Sequence, residues 1–260
     1  SLFFPAVKKY LDSLSFNDAV STDMRDIFTS ESGIDMTDFF DAWVFSPGFP
    51  HFSVDSFQVS FNGSDYDVTV FIRQKLKGSE NYASSNRVEL TFMNNSWEEY
   101  TDMIEFDGQT GQQTFSVPFS PDFIMVDKEE KLSDATTDCY MTIKNPGIEE
   151  MDKMSTFFTL DVDAITDSAL VRVVHNWVEP DPMKNPIPGM IISDYRYWKI
   201  EGIFPQGFQA KGEFVYSKST NLSSDYGYLD QNLILSPIMD SLAILYRTGP
   251  EDDWHEISYT

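Results

Sequence analysis

Cations are scarce in this 260-residue chain: 18 Lys plus Arg stand against 42 Asp plus Glu, a net charge of −24. Such a field repels phosphate backbones and anionic headgroups, so nucleic acid and acidic membranes are excluded as expected partners. Cysteine is nearly absent as well. The single Cys139 cannot form an internal disulfide and reads as a small buried hydrophobe, compatible with the cytosol and equally with a bacterial periplasm or exterior. Long apolar runs are missing. LAILY at 242–246 is among the longest, far below the ~20 residues of a membrane helix, so no span is expected. No signal peptide is visible, and the chain opens on SLFFPAV rather than Met, as a piece of something longer would.

The vocabulary of catalysis is thin. The three histidines, His51, His175 and His255, include no pair four apart, the spacing that turns two imidazoles of a helix toward one zinc. In HEISY, Tyr259 sits where a second ligand after His255 would be, and a strand separates i from i+4 by ~13 Å. Cys139 has no histidine near it in sequence, and no Gly-x-Ser-x-Gly elbow or phosphate-binding glycine loop appears. The acidic pairs Asp65 with Asp67, Asp161 with Asp163, and Asp252 with Asp253 each offer two carboxylates, whereas calcium takes six to eight oxygens. Solvated faces are the simpler reading. No catalytic, metal or cofactor-binding residue is assigned.

What the chain does have is apolar patterning of two kinds. Residues 1–45 carry 3.6-residue stripes: Phe4, Val7, Leu11 and Leu14; then Met24, Ile27 and Phe28 behind a cap at Ser21 or Thr22 with Asp23 in the first turn; then Met36, Phe39, Phe40 and Trp43. Gly33 has the position of a helix stop. Three helices this short cannot enclose their own apolar faces, so the β part or something outside the chain must cover them. At FFDAWVFSPGFPHFSV (39–54), Pro47, Gly48 and Pro50 end the helical period and alternation begins. Phe52 and Val54 lie in one phase and Phe57, Val59 and Phe61 in another, which places a bend near Asp55 and Ser56.

From there the period stays at two. FQVSFNGSDYDVTVFIRQ reads as a hairpin around Asn62-Gly63, followed by NRVELTF, EEYTDMIEF and QTFSVPF. DKEEKLSDATTD (127–138) reads as a polar closure or a short helix, and KNPGIEEMDKMS (144–155) as an exposed linker and hinge. STFFTLDV, ALVRVVHNWV, YRYWKIEGIF, FQAKGEFVYS, SLAILYR and WHEISY follow, with the four-proline loop EPDPMKNPIPG between two of them. The expected fold is mainly β with an N-terminal α segment: a short helical part followed by two β-sandwich, immunoglobulin-like domains. The expected boundaries are 1–48, 49–148 and 149–260, with the helices docked on the first sandwich. Trp177, Tyr195, Tyr197 and Trp198 are candidates either for the core or for a carbohydrate-stacking platform. Tyr195 and Tyr197 share one strand face, and Arg196 and Trp198 the other.

GIDMTDFFDAWVFSPGFPHFSVDSF (33–57) resembles the end of the catalytic domain in aminopeptidase N-like zinc metallopeptidases (gluzincins). There a helix of the form Gly-x-x-x-x-x-Phe-Phe-x-x-Trp leads through a Gly-aromatic-Pro turn into the first strand of a β-sandwich; the matching residues are Gly33, Phe39, Phe40, Trp43, Gly48, Phe49 and Pro50. FFPAVKKYLDSLSFNDAVSTDMRDIF is similar to the family's preceding helices, and VTVFIRQ to a glutamine-bearing sandwich strand. The likeness covers roughly residues 2–148. SALVRVVHNWVEPDP, RYWKIEGIFPQGF and LAILYR look like the β-type extension of secreted bacterial relatives.

The resemblance implies a non-catalytic C-terminal region that supports the catalytic domain and shapes substrate access, in a bacterial periplasmic or extracellular enzyme. The family's His-Glu-x-x-His helix, third ligand and catalytic tyrosine all precede the segment matched here. Zinc is therefore expected in an upstream catalytic domain of the same polypeptide, along with the peptide substrate, and not in this chain. Phe39, Phe40, Trp43, Gly48, Pro50 and Phe52 are expected to form a structural helix–sandwich junction. The competing expectation is a stand-alone β-sandwich that binds glycan or protein.

Overall fold

Apolar residues three and four apart make the first two helices, α1 (Phe3–Ser13) and α2 (Ser21–Ser32). The computed structural model describes residues 2–217, 229–230 and 242–257. The α2 cap lies one residue before the expected pair: the Val20 N–H donates to Asp23 Oδ2 at 2.9 Å, so the first-turn carboxylate closes the end by itself. Gly33 ends the helix with φ +71°, a left-handed position suited to glycine. A third, short helix, α3 (Thr37–Phe40), widens into a π-type turn over Asp41–Phe45.

Period-two patterning then takes over. Strands β1 (Phe49–Phe61), β2 (Tyr66–Lys77), β3 (Asn86–Met93), β4 (Glu99–Phe106), β5 (Thr110–Val117) and β6 (Phe123–Val126) form two antiparallel sheets, in the orders β1-β2-β5 and β4-β3-β6. Their inner faces meet over one apolar core that includes Phe52, Val70, Ile72, Leu90, Phe92 and Phe115. The expected change of phase in β1 is a bulge: Val54 pairs with Ile72 and Ser56 with Phe71, leaving Asp55 unpaired. The Asn62-Gly63 hairpin closes as a four-residue loop, with the Asn62 N–H donating to the Asp65 carbonyl at 2.9 Å.

A second pair of sheets follows. Strands β7 (Thr136–Ile143), β8 (Gly147–Glu149), β9 (Phe158–Ala164), β10 (Ala169–Asn176), β11 (Tyr197–Ile203) and β12 (Gln209–Phe214) give the orders β11-β10-β7 and β12-β9-β8, with a one-turn helix α4 (Lys153–Thr156) before β9. Their core contains Ile143, Phe158, Leu160, Val162, Val171 and Val173. A small hairpin, β13 (Ile244–Tyr246) with β14 (His255–Ile257), lies beside it in sequence.

Three expectations differ from this arrangement. Strand β7 pairs with β10 from Ala169↔Ile143 to Asn176↔Thr136, so the change from one sheet pair to the other falls at 127–135, upstream of 148. DKEEKLSDATTD is thus the crossover and the start of a strand. Residues 144–155 are mostly exposed, as expected, but are not a free hinge: β8 pairs with β9, Met151 is fully buried in the second core and α4 packs beside β7 and β10. Finally, α1 and α2 pack on each other, Phe3 edge-on to Phe28 at 5.8 Å, instead of spreading over the first sandwich. Phe4 and Leu11 keep 74% and 62% of their surface in water.

Candidate functional site: junction, seam and aromatic cage

The junction residues do come together, unequally. Phe40 is 3% exposed and meets Phe39 and Phe45 edge-on or tilted at 5.8 and 5.9 Å. Trp43 is half-buried, stacks on Phe39 at 6.2 Å and packs against the first core, where Phe52 meets Phe106 at 6.0 Å. Phe39 itself remains 46% exposed. Gly48 has φ +84°, and a Cβ there would lie 2.1 Å from the Lys77 carbonyl oxygen, so backbone meets backbone and only glycine fits. Asp38 clamps the joint from the helical side by accepting from the Ser84 and Ser85 N–H groups at 3.1 Å. Buried Pro50 offers its carbonyl to the Ala135 N–H at 2.6 Å, linking β1 to the crossover.

Alternation along β2 sends Arg73, Lys75 and Lys77 to the face opposite the first core, toward the second sandwich. Asp181, in the proline loop, gathers the first two together with Arg247. Arg73 reaches it at 2.8 Å, Lys75 at 3.1 Å and Arg247 at 2.6 Å, while Asp55, freed by the bulge, holds Arg73 at 2.7 Å. Burial works against the charge of Asp181, but hydrogen bonds from Arg247 and Lys75 hold its carboxyl well below the usual range. Lys77 lies over the Tyr195 ring at 3.6 Å, and burial pulls its ammonium down. His51, fully buried, pairs Nε2 with Asn176 Oδ1 at 2.8 Å and faces Tyr197, whose phenol burial pushes up. An apolar patch of Met93, Met125, Leu170 and Ile203 completes the seam.

Beyond the seam, Arg196 is buried in a cage. Its guanidinium forks onto Asp230 at 2.9 and 2.8 Å, lies 4.6 Å from the Trp198 ring and has Phe157 and Trp177 within 6 Å. His175 stacks on Trp198 at 4.8 Å with planes 5° apart, and its Nε2 accepts from Arg196 at 3.3 Å. Burial first, and then the Arg196 charge, pull its ring down to about 3. Arg196 and Trp198 thus share a face, as alternation requires, and that face is turned inward. Trp177 and Trp198 spend their rings and N–H groups inside, on Thr137 and Thr156, rather than on an open platform.

A third charged group sits under the crossover. Arg172 binds Asp138 closely, Glu201 at 3.2 Å and the Val126 carbonyl at 2.8 Å. With several carboxylates around one guanidinium, burial raises the Asp138 carboxyl despite Arg172, and burial lifts Asp134 to about 6 although Thr136 hydrogen-bonds it.

The remaining candidates are committed elsewhere. Asp67 accepts from Asn62 at 2.7 Å, Asp163 pairs with Lys211 at 3.0 Å, and Asp252 and Asp253 close the turn before β14. Burial pushes the Cys139 thiol up. His255 lies against Tyr246 and Asp252, and Tyr259 is outside the described residues. Among the described residues no three His, Cys, Asp or Glu side chains are placed to share a metal ion. No helix of the described residues is long and apolar enough to cross a membrane. The arrangement is a clamp: cations and aromatics hold one sheet pair against the other. Its sequence signal, passed over when the strand is read as ending at VTVFIRQ, is three cations at period two, Arg73, Lys75 and Lys77, in a chain with so few. No protein-family model matches the chain, and no curated protein matches it closely enough to count as a relative.

Proposed function

We propose that the chain is the supporting, non-catalytic C-terminal region of an aminopeptidase N-like zinc metallopeptidase of the bacterial periplasm or exterior, with α1–α2 as the face that meets the catalytic part. The observation that carries the reading is the joint at 33–57: a buried Phe40, a core-packed Trp43 and a Gly48 that admits no side chain, in the order the resemblance leads one to expect. The helical hairpin adds support. Leu2, Phe4 and Leu11 are each more than half exposed, and exposed apolar side chains gathered on one element mark contact sites. In this role the clamped sandwiches give the enzyme a rigid wall beside its substrate chamber, and no bond-making step falls to this chain.

The reading frame preceding Ser1 tests this first. A His-Glu-x-x-His motif within a few hundred codons is expected; a start codon or an unrelated domain there would point instead to a stand-alone sandwich that binds glycan or protein. In the longer polypeptide, Phe4→Asp with Leu11→Asp should lower the thermal midpoint and peptide turnover together. Turnover and midpoint that ignore both changes would contradict docking through this face.

A further inference from the structure

His51 stands where the two sandwiches meet, and its neighbours fix its tautomer. Asn176 donates from Nδ2 to the Val174 and Tyr197 carbonyls at 3.2 and 3.5 Å, which turns its Oδ1 toward the ring. His51 Nε2 therefore carries the hydrogen and donates to Oδ1 at 2.8 Å. Nδ1 is left a bare lone pair, buried, with no partner among the described residues. The charges around it are mostly of the wrong sign for a second proton. Lys75 is its register partner on β2, Arg73 follows on the same face, and Arg247 stands behind Asp181. Asp181 is the acid facing the ring, already shared among three cations, while Asp55 is taken by Arg73. Tyr197, which faces the ring from β11, stays neutral.

We propose that His51 is an acid-sensitive latch, a proton on its Nδ1 opening the seam between the two sandwiches. Uptake of one proton from solvent converts the imidazole to an imidazolium. The new N–H has no acceptor in the closed seam and finds water in the open one. Burial, with Lys75 and Arg73 adding to it, holds the closed ring down at about 4, against an ordinary value of 6.5. The sign follows: the folded value is depressed, so the closing free energy is complete above 6.5 and is lost as pH falls toward 4. The open fraction should rise on the order of 30-fold between about pH 7.5 and 5. Asp134, beside the Ala135 amide that binds Pro50, takes up a proton in the same window and opposes the effect.

Amide exchange on the wild-type chain reads this directly. The Ala135 amide, which bonds across to the Pro50 carbonyl, should lose protection as pH falls, by about that factor once Asp134 is replaced by Asn and by less in wild type, after correction for intrinsic rates, while Val70 in the first core keeps its own. His51→Gln retains the donor to Asn176 and cannot be charged, so its seam protection should no longer fall as pH drops; His175→Gln should leave the step in place, and Asp134→Asn should steepen it. If the glutamine variant does not fold, the wild-type ring decides by its NMR titration. A midpoint far below 6.5 that coincides with seam opening supports the latch. A ring titrating near 6.5, seam amides no more labile than Val70, or a step that survives His51→Gln would overturn it.

Discussion

The two sheet pairs bury polar groups of different kinds. Apart from His51 at the seam, the first encloses Gln74, Asn86, Thr91 and Asn94, none of them charged, around a core of Val, Ile, Leu and Phe. The second encloses Arg172, Glu201, Arg196, Asp230 and His175 beside a smaller apolar core. A dry core fails by cavity formation, and its cost depends little on pH. A core threaded with ion pairs fails when one partner is removed and the other is left charged in a poor solvent. Two folds of similar architecture should therefore respond differently to the same classes of substitution.

The sharpest way to break that comparison is a pair of double replacements. Asp230→Asn should cost about 3–5 kcal/mol by stranding Arg196 in its cage, measured by denaturant unfolding, and Arg196→Met added to it should recover much of the loss. Phe92→Ala should cost about as much, ~3–5 kcal/mol, and no second truncation among its neighbours should restore it. Rescue of the phenylalanine variant, or none for the ion pair, would erase the distinction.

Next in size is the pH response of the second sandwich. His175 is neutral in its cage, its folded value depressed to about 3, so its contribution is complete above 6.5 and is lost as pH falls through the window down to 3. By pH 5 this should amount to about 2 kcal/mol, seen as a falling thermal midpoint that His175→Gln lessens, the remainder belonging to His51. Asp138 and Asp134 have the opposite sign. Their folded values are raised, so their contributions are greatest at low pH and decline as pH rises through about 6 for Asp134. A midpoint that is flat from pH 7 to 5 in wild type and lower at pH 8 would show that the carboxyls dominate. Smallest is Trp43→Ala at the junction. With the indole half in water, the loss should be about 1.5–2.5 kcal/mol, less than for a fully buried ring.

How far the sequence foretold this differs between the regions for a physical reason. In the first, the signals are mostly local: the change of phase at Asp55, the turn at Asn62-Gly63 and the stop at Gly33 all act within a few residues, and β1 pairs with β2 and β3 with β4 as sequence neighbours, although β5 returns to β2 past β3 and β4. In the second, the deciding partners are remote. Strand β7 is polar along much of its length and gains its place only by pairing with β10, some thirty residues on. Arg196 meets Asp230 thirty-four residues away. Alternation showed that Arg196 and Trp198 share a face, but not that the face turns inward. The cations of β2 were visible as a pattern, yet their receptor, Asp181, lies more than a hundred residues downstream. The apolar stripe of α1 was plain; what it left open was the cover, and Phe4 and Leu11 stand uncovered.

Support rather than catalysis is the central claim, and metal content together with hydrolysis by the purified chain tests it most directly. His51 and His175 are buried in separate packing roles, and His255 sits on β14 against Asp252. The chain alone should therefore hold well under one zinc per molecule after dialysis and leave aminoacyl chromogenic substrates uncut. About one tightly bound zinc per chain, with hydrolysis that chelation abolishes, would contradict the account.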